Sequence, residues 1–225
     1  MLVIHYTGMP SASEALTRLT DPAAKVSSHY LIDEDGAILR LVPEERRAWH
    51  AGRSYWKGER DCNSVSVGIE LVNPGHEWGY RAFPAPQIDA LKALIDEIRS
   101  RWTIPNGRIV GHSDIAPDRK IDPGELFPWQ ELAKAGHGLW VDVAAAPGAP
   151  LSLGDEGVGV FALQAGLYRL GYDTPPSGQL DEETLVNLLA FQRHWRPDQV
   201  DGVADGETRA RLVALLRQGA IAEAV

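Results

Sequence analysis

The stretch GHSDIAPDRKIDPG, residues 111–124, gathers His112, Asp114, Asp118, Lys120 and Asp122 between two prolines and two glycines. His112 and Asp122 lie ten positions apart with no helical or strand period joining them. They meet only if the chain between them folds back. A loop folded in that way presents one imidazole and one carboxylate, two legs of a zinc tripod. A polar surface loop with solvated acids has the same composition, and Asp114 and Asp118 rival Asp122 on spacing. The third leg has to come from another element. His5 sits in the apolar run LVIHYT (2–7), where an unpaired imidazole is costly, so it is either a hydrogen-bonded core residue or a ligand. His5 and His112 both end predicted strands, so both would emerge at a sheet rim. Two His and one carboxylate leave zinc a fourth position, the open arrangement of a catalytic site.

Other residues carry paired readings. Glu70 interrupts the apolar strand VGIELVN, either as a solvent-facing edge residue or as a partly buried carboxylate able to take a proton from water. Lys120 is a surface lysine or a cation that stabilises an oxyanion. His29 and His50 either pack or contact substrate. Trp49, Arg53, Tyr55 and Trp56 make an aromatic, polar patch of the kind that lines a sugar or peptide groove. Nothing around His76, His137 and His194 points to a site.

The elements that must position these residues alternate. LVIHYT is a β-branched strand, and SASEALTRLT (11–20) opens a helix with Ser11 and Glu14 in a capping-box pattern. SSHYLIDEDGAILRLV (27–42) reads as a hairpin turning at Asp35-Gly36, and SVSVGIELVN (64–73) as a strand. PQIDALKALIDEIRSRW (86–102) puts Ile88, Leu91, Leu94, Ile95 and Ile98 on one helical face. RIVGH (108–112) is a short strand and PWQELAKAG (128–136) a closing helix. The alternation predicts an α/β fold with a mixed central sheet flanked by helices.

Residues 137–152 turn to small residues and proline, a linker. Beyond it Val160, Leu163, Leu167 and Leu170 share a helix face. The pattern G-x-x-D-x-E-T occurs from Gly178 and again from Gly202, each time with Asp181 or Asp205 at an N-cap position. The tail is therefore a small all-α three-helix unit, with no cluster of His, Cys or paired acids, which fits binding or packing better than catalysis. A formal charge of -9 with no basic stripe argues against nucleic acid. Cys62 stands alone, which excludes an intramolecular disulfide and Cys-based zinc chemistry. No apolar run is long enough to span a membrane. MLVIHYTGMPS has no basic n-region and only a short apolar run, so no signal peptide is expected. The chain as written is then cytoplasmic; with a leader already removed it belongs to the periplasm or cell envelope.

Five motifs in order, VIHYTG, SSHYLIDEDG, AWHAG, NSVSVGIELVN and VGHSDIAPDRKIDPG, strongly resemble the zinc-dependent N-acetylmuramoyl-L-alanine amidases of the AmpD and AmiD kind. Those enzymes are related in fold to T7 lysozyme and the peptidoglycan recognition proteins. The resemblance implies one Zn2+ held by His5, His112 and Asp122, with Glu70 as catalytic glutamate and Lys120 as the lysine preceding the Asp ligand. His29 and His50 match recurrent positions without an assignable role. In the tail, LQAGLYRLGY, GQLDEET, FQRHW and DGVADGET resemble the helical peptidoglycan-binding module that follows such amidases. The implied organisation is a zinc amidase domain over 1–136, a linker over 137–152 and a peptidoglycan-binding-like domain over 153–225. The implied reaction is hydrolysis of the amide between N-acetylmuramic acid, or its 1,6-anhydro form, and L-alanine of peptidoglycan stem peptides, in wall turnover or muropeptide recycling. The implied partners are peptidoglycan or soluble muropeptides. Two other readings are a non-catalytic peptidoglycan sensor and a phage-type lysin acting on intact sacculi. A sensor generally lacks a full ligand set, and here all three ligands accompany Glu70 and Lys120.

Overall fold

In the computed structural model, which describes residues 1–222, strand β1 (Leu2–Tyr6) lies inside a five-stranded sheet. Helix α1 (Ala12–Thr20) follows, with the Ser11 hydroxyl accepting from the Glu14 amide as its cap pattern predicts. Strands β2 (Tyr30–Ile32) and β3 (Ile38–Arg40) form the antiparallel hairpin, with Gly36 at φ +90° in the turn, where a left-handed backbone favours glycine. The run expected as a strand from residue 64 instead begins with a helical turn, α2 (Cys62–Val65), before β4 (Val67–Leu71). There Asn63 Oδ1 accepts from the amides of His50 and Ala51, so the segment closes the His50 loop rather than extending the sheet. A short helix α3 (Gly75–Trp78) and the long α4 (Ala85–Arg101) lead to β5 (Ile109–Gly111). A four-residue helix α5 (His112–Ile115) and α6 (Trp129–Lys134) complete this part.

The strand order is β3-β2-β4-β1-β5, parallel except for β2–β3, which makes the sheet mixed. Alternation along each strand sorts the side chains onto two faces. Leu2 and Ile4, opposite Val67 and Ile69, pack with the buried Ile88, Leu91, Leu94, Ile95 and Ile98 of α4. Those five are the residues that the helical period placed on one face. The other face carries Val3 and His5, in register with Gly68 and Glu70.

That second face is covered by the C-terminal helices α7 (Val158–Leu170), α8 (Glu182–Trp195) and α9 (Gly206–Ala222). Val3, Val110 and Ile115 share one continuous core with Leu163, Leu167 and Phe191. The repeat resolves into two copies of one polar knot. Asp181 and Asp205 cap their helices through the Thr184 and Thr208 amides. Gln164 Oε1 accepts from the Gly178 amide and Gln192 Oε1 from the Gly202 amide, each at 2.8 Å. The segment 137–152 has no helix or strand but is pinned along its length. Leu139 is buried, Val141 carbonyl accepts from Arg211, and Ala146 donates to the Gly206 carbonyl. The last three residues of the expected tail domain, 223–225, lie outside the described residues. Among those described, no helix is long and apolar enough to cross a membrane.

Candidate metal centre and active site

The parallel strands end at one rim, where ligand sites of open α/β sheets form. His5 is the penultimate residue of β1, Glu70 is its register partner on β4, and His112 follows β5 directly. The loop after α5 returns so that Ser113 N donates to the Asp122 carbonyl at 2.8 Å, which brings Asp122 under His112. His5 Nδ1 lies 3.0 Å from His112 Nδ1 and 3.0 Å from Asp122 Oδ2, and the third edge is 3.1 Å. All three residues are buried.

The outer ring nitrogens fix the tautomers. His5 Nε2 meets His50 Nδ1 at 3.0 Å, His50 Nε2 meets Ser66 Oγ at 3.2 Å, and the Ser66 hydroxyl donates to the Cys62 carbonyl. Because that carbonyl can only accept, each member of the chain donates outward. His112 Nε2 likewise faces the Ala51 carbonyl at 3.3 Å. Both Nδ1 atoms are thereby left as lone pairs aimed at each other and at the Asp122 carboxylate. One proton serves one edge of that triangle and leaves the others repulsive; a cation at its centre satisfies all three. Two imidazole nitrogens and one carboxylate oxygen are a donor set suited to zinc. Burial, aided by His112, lowers His5 to about 4, the neutral form a ligand needs.

Glu70 is shifted in the opposite direction. Burial, and then the charge of Asp122, push its carboxyl well above the ordinary range against the pull of Lys120, and its Oε2 has no hydrogen-bond partner. Glu70, Lys120, Trp49, His50 and the triangle line one cleft of about 460 Å³. His76, which nothing in the sequence marked, lines it as well, bonded to the Tyr6 hydroxyl and stacked on Tyr80. Arg119, also on the cleft, reaches back to the Ala51 and Arg53 carbonyls and clamps the loop behind His50.

The rest of the expected patch goes elsewhere. His29 accepts from the Gly68 amide and donates to the Arg46 carbonyl, so it braces β4 from behind. Arg53 pairs with Asp118 at the surface. Trp56 is a correction: it is 1% exposed, donates to the Gly107 carbonyl and packs edge-on to Tyr172 in the core shared with the C-terminal helices. Its ring is too deeply covered to line a groove. The rival acids are committed too, Asp118 to Arg53 and Asp114 to Tyr172 and His194.

Sheet, rim and buried His-His-Asp group together define a hydrolase of the N-acetylmuramoyl-L-alanine amidase class, and the chain belongs to that family, whose model matches residues 1–125. A peptidoglycan binding domain model matches residues 156–212. The chain is 40% identical over 97% of its length to N-acetylmuramoyl-L-alanine amidase AmiD of Escherichia coli (strain K12), of which it covers 82%. The structure of E. coli AmiD with the substrate anhydro-N-acetylmuramic acid-L-Ala-D-gamma-Glu-L-Lys matches with a TM-score of 0.85, covering 97% of this chain and 88% of that one. AmpDh3 of Pseudomonas aeruginosa, in complex with an anhydromuramic pentapeptide, is 34% identical with a TM-score of 0.83, covering 97% and 91%.

Proposed function

We propose that this chain holds one Zn2+ between His5 Nδ1, His112 Nδ1 and Asp122 Oδ2 and hydrolyses the amide joining N-acetylmuramic acid to L-alanine of peptidoglycan stem peptides. The observation that carries the reading is the triangle of buried lone pairs opening on a cleft that also holds the Glu70 carboxyl, whose Oε2 has no partner, and the Lys120 ammonium. The bound ion supplies Lewis acidity at the scissile carbonyl and makes water acidic near neutral pH. Glu70, whose burial raises its affinity for a proton, takes in its ionised form the proton of the attacking water and returns it to the leaving L-alanine amine. Lys120 stabilises the oxygen that gains charge, a contribution of about 3 kcal/mol for a well-placed donor. Trp49, 56% exposed at the cleft, offers a flat apolar face to the sugar or peptide. His50 orients His5 through the contact between its Nδ1 and His5 Nε2. On this reading residues 1–136 form the catalytic domain and residues 153–225 the wall-binding domain, a division supported by the family matches over 1–125 and 156–212.

The ligands of the AmiD and AmpDh3 structures support the 1,6-anhydro form as substrate. The peptidoglycan-binding match supports a second reading, cleavage of intact sacculi. Preference for sacculi would support the envelope reading, and preference for soluble anhydromuropeptides the recycling reading. Both follow from one assay: release of L-Ala-initiated peptide from each substrate by the zinc-loaded chain and by Glu70→Gln. The variant is expected to keep one zinc per chain and lose about 100-fold or more in turnover. Near-normal turnover by it would remove Glu70 from the reaction.

A further inference from the structure

Asp114 stands two residues after His112, fully covered, and takes no part in the metal triangle. Its Oδ2 accepts from the Gly111 amide at 2.7 Å, which turns the chain from β5 into α5. The same oxygen accepts from His194 Nδ1 at 2.7 Å, and Oδ1 accepts from the Tyr172 hydroxyl at 2.6 Å. Tyr172 and His194 both belong to the C-terminal helical unit. The His194 ring cannot drift, because it is sandwiched between Trp129 of α6 and Trp195 of α8, with ring centroids 3.7 Å away on each side. On the opposite flank, Ser113 N is held by the Asp122 carbonyl, and a Cβ on Gly111 would meet Pro123 Cδ at 2.8 Å. The peptide that bears His112 is thus gripped from two sides, by the ligand loop and by the tail. A helix of four residues does not hold its own shape in isolation. The aim of His112 Nδ1 has to be set by those grips.

We propose that Tyr172 and His194 are positioning residues for the metal ligand His112, acting through Asp114. The C-terminal unit is on this view part of the frame of the metal centre, in addition to any contact it makes with the wall. The proposal rests on the reading of His5, His112 and Asp122 as a zinc site. It accounts for a buried carboxylate that receives two of its three hydrogen bonds from a segment that contributes no residue to the metal triangle.

The test uses the full chain. Tyr172→Phe removes one hydroxyl and keeps the ring against Trp56; His194→Phe keeps a flat ring in the stack and removes the Nδ1 donor. The comparison is Leu215→Ala, buried in α9, which loosens the same helical unit without touching a bond to Asp114. Zinc affinity is read by competition with a chromophoric chelator, and ligand geometry by the visible absorption of the Co2+-substituted protein. Partners that orient metal ligands typically contribute 10–100-fold in affinity, so the double variant is expected to weaken zinc binding about tenfold or more and to alter the Co2+ spectrum. Leu215→Ala is expected to lower the melting temperature and leave both metal readouts in place. Should His194→Phe fail to fold, Tyr172→Phe alone carries the test. Unchanged zinc affinity and Co2+ spectrum in the folded variants, or an equal loss in Leu215→Ala, overturns the proposal. A wild-type chain that takes up no zinc overturns the metal-site reading itself.

Discussion

Substituting Gly68 by alanine tests how tightly the hydrogen-bonded chain behind His5 is built. A Cβ at Gly68 would lie 2.5 Å from His50 Cγ, 2.6 Å from Cδ2 and 2.7 Å from Nδ1. Carbon atoms rest about 3.5–4.0 Å apart, so the ring has to retreat by about 1 Å. It has nowhere to go cheaply: Nδ1 is tied to His5, Nε2 to Ser66, and the His50 amide to Asn63. Overpacking of this kind costs about 1–3 kcal/mol, and losing one of the ring hydrogen bonds adds about 1 kcal/mol. Against that, alanine restricts the unfolded chain and recovers about 0.5–1 kcal/mol. The net is a destabilisation of about 1–3.5 kcal/mol, which for a chain of this size lowers the melting temperature by about 2–14 °C. Because the displaced ring lets go of His5 Nε2, zinc affinity should fall as well. In Gly68→Ala/His50→Ala the clash is gone, so the two changes should cost less together than their sum. Thermal unfolding of the four proteins, zinc-loaded and zinc-free, reads all of this. A Gly68→Ala protein that melts at or above wild type with its zinc affinity intact would refute the steric argument.

Other expectations concern charge. Chelation should lower the melting temperature, since binding to the folded state alone stabilises by mass action, and added Zn2+ should restore it; no shift in either direction removes the triangle as a metal site. Asp122→Ala should lose zinc altogether, measured by atomic absorption. Glu44 gives a pH signature far from the rim. Burial would raise its carboxyl, but hydrogen bonds from Arg101, Tyr30 and Trp102 outweigh that and hold it at about 2. A depressed carboxyl stabilises the fold above its unfolded value and stops doing so as pH falls through the folded one. The stability gap between wild type and Glu44→Gln should therefore be widest above about pH 5 and close towards pH 2. A gap independent of pH in acid denaturation would contradict that account.

The sequence made some of this readable for definite reasons. The α4 face and the α7 face appear as apolar residues at helical spacing, and the structure buries the residues so marked. His5 and His112 are readable as rim residues because each ends a strand pattern, and Glu70 is readable only as a charge that interrupts one. Their actual adjacency is a matter of register, His5 opposite Glu70, which no local pattern contains. Composition could not choose among Asp114, Asp118 and Asp122. The choice depends on what each acid meets, and the partners of Asp114 lie 58 and 80 residues away. His194 read as unremarkable because its neighbours in sequence are helix residues; its neighbours in space are Trp129 and Asp114. Trp56 misled because an aromatic in a polar loop looks alike whether it faces a groove or a neighbouring helix. The helical turn at 112–115 was missed because four residues are too few to show a period.

The shared core has a consequence for how such proteins can be rearranged. Two family models meeting at a proline-rich stretch invite the picture of a catalytic head on a tether, with a tail that could be exchanged like a tool bit. Here Val3, Val110 and Ile115 are roofed by Leu163, Leu167 and Phe191, and the stretch between is fastened down by Arg211 and Gly206. Grafting a foreign wall-binding unit at residue 150 would strip hydrophobic cover from the sheet face that carries His5 and Glu70. A graft that leaves the site intact has to carry the C-terminal helices along with the sheet, or replace the apolar residues that their removal lays bare.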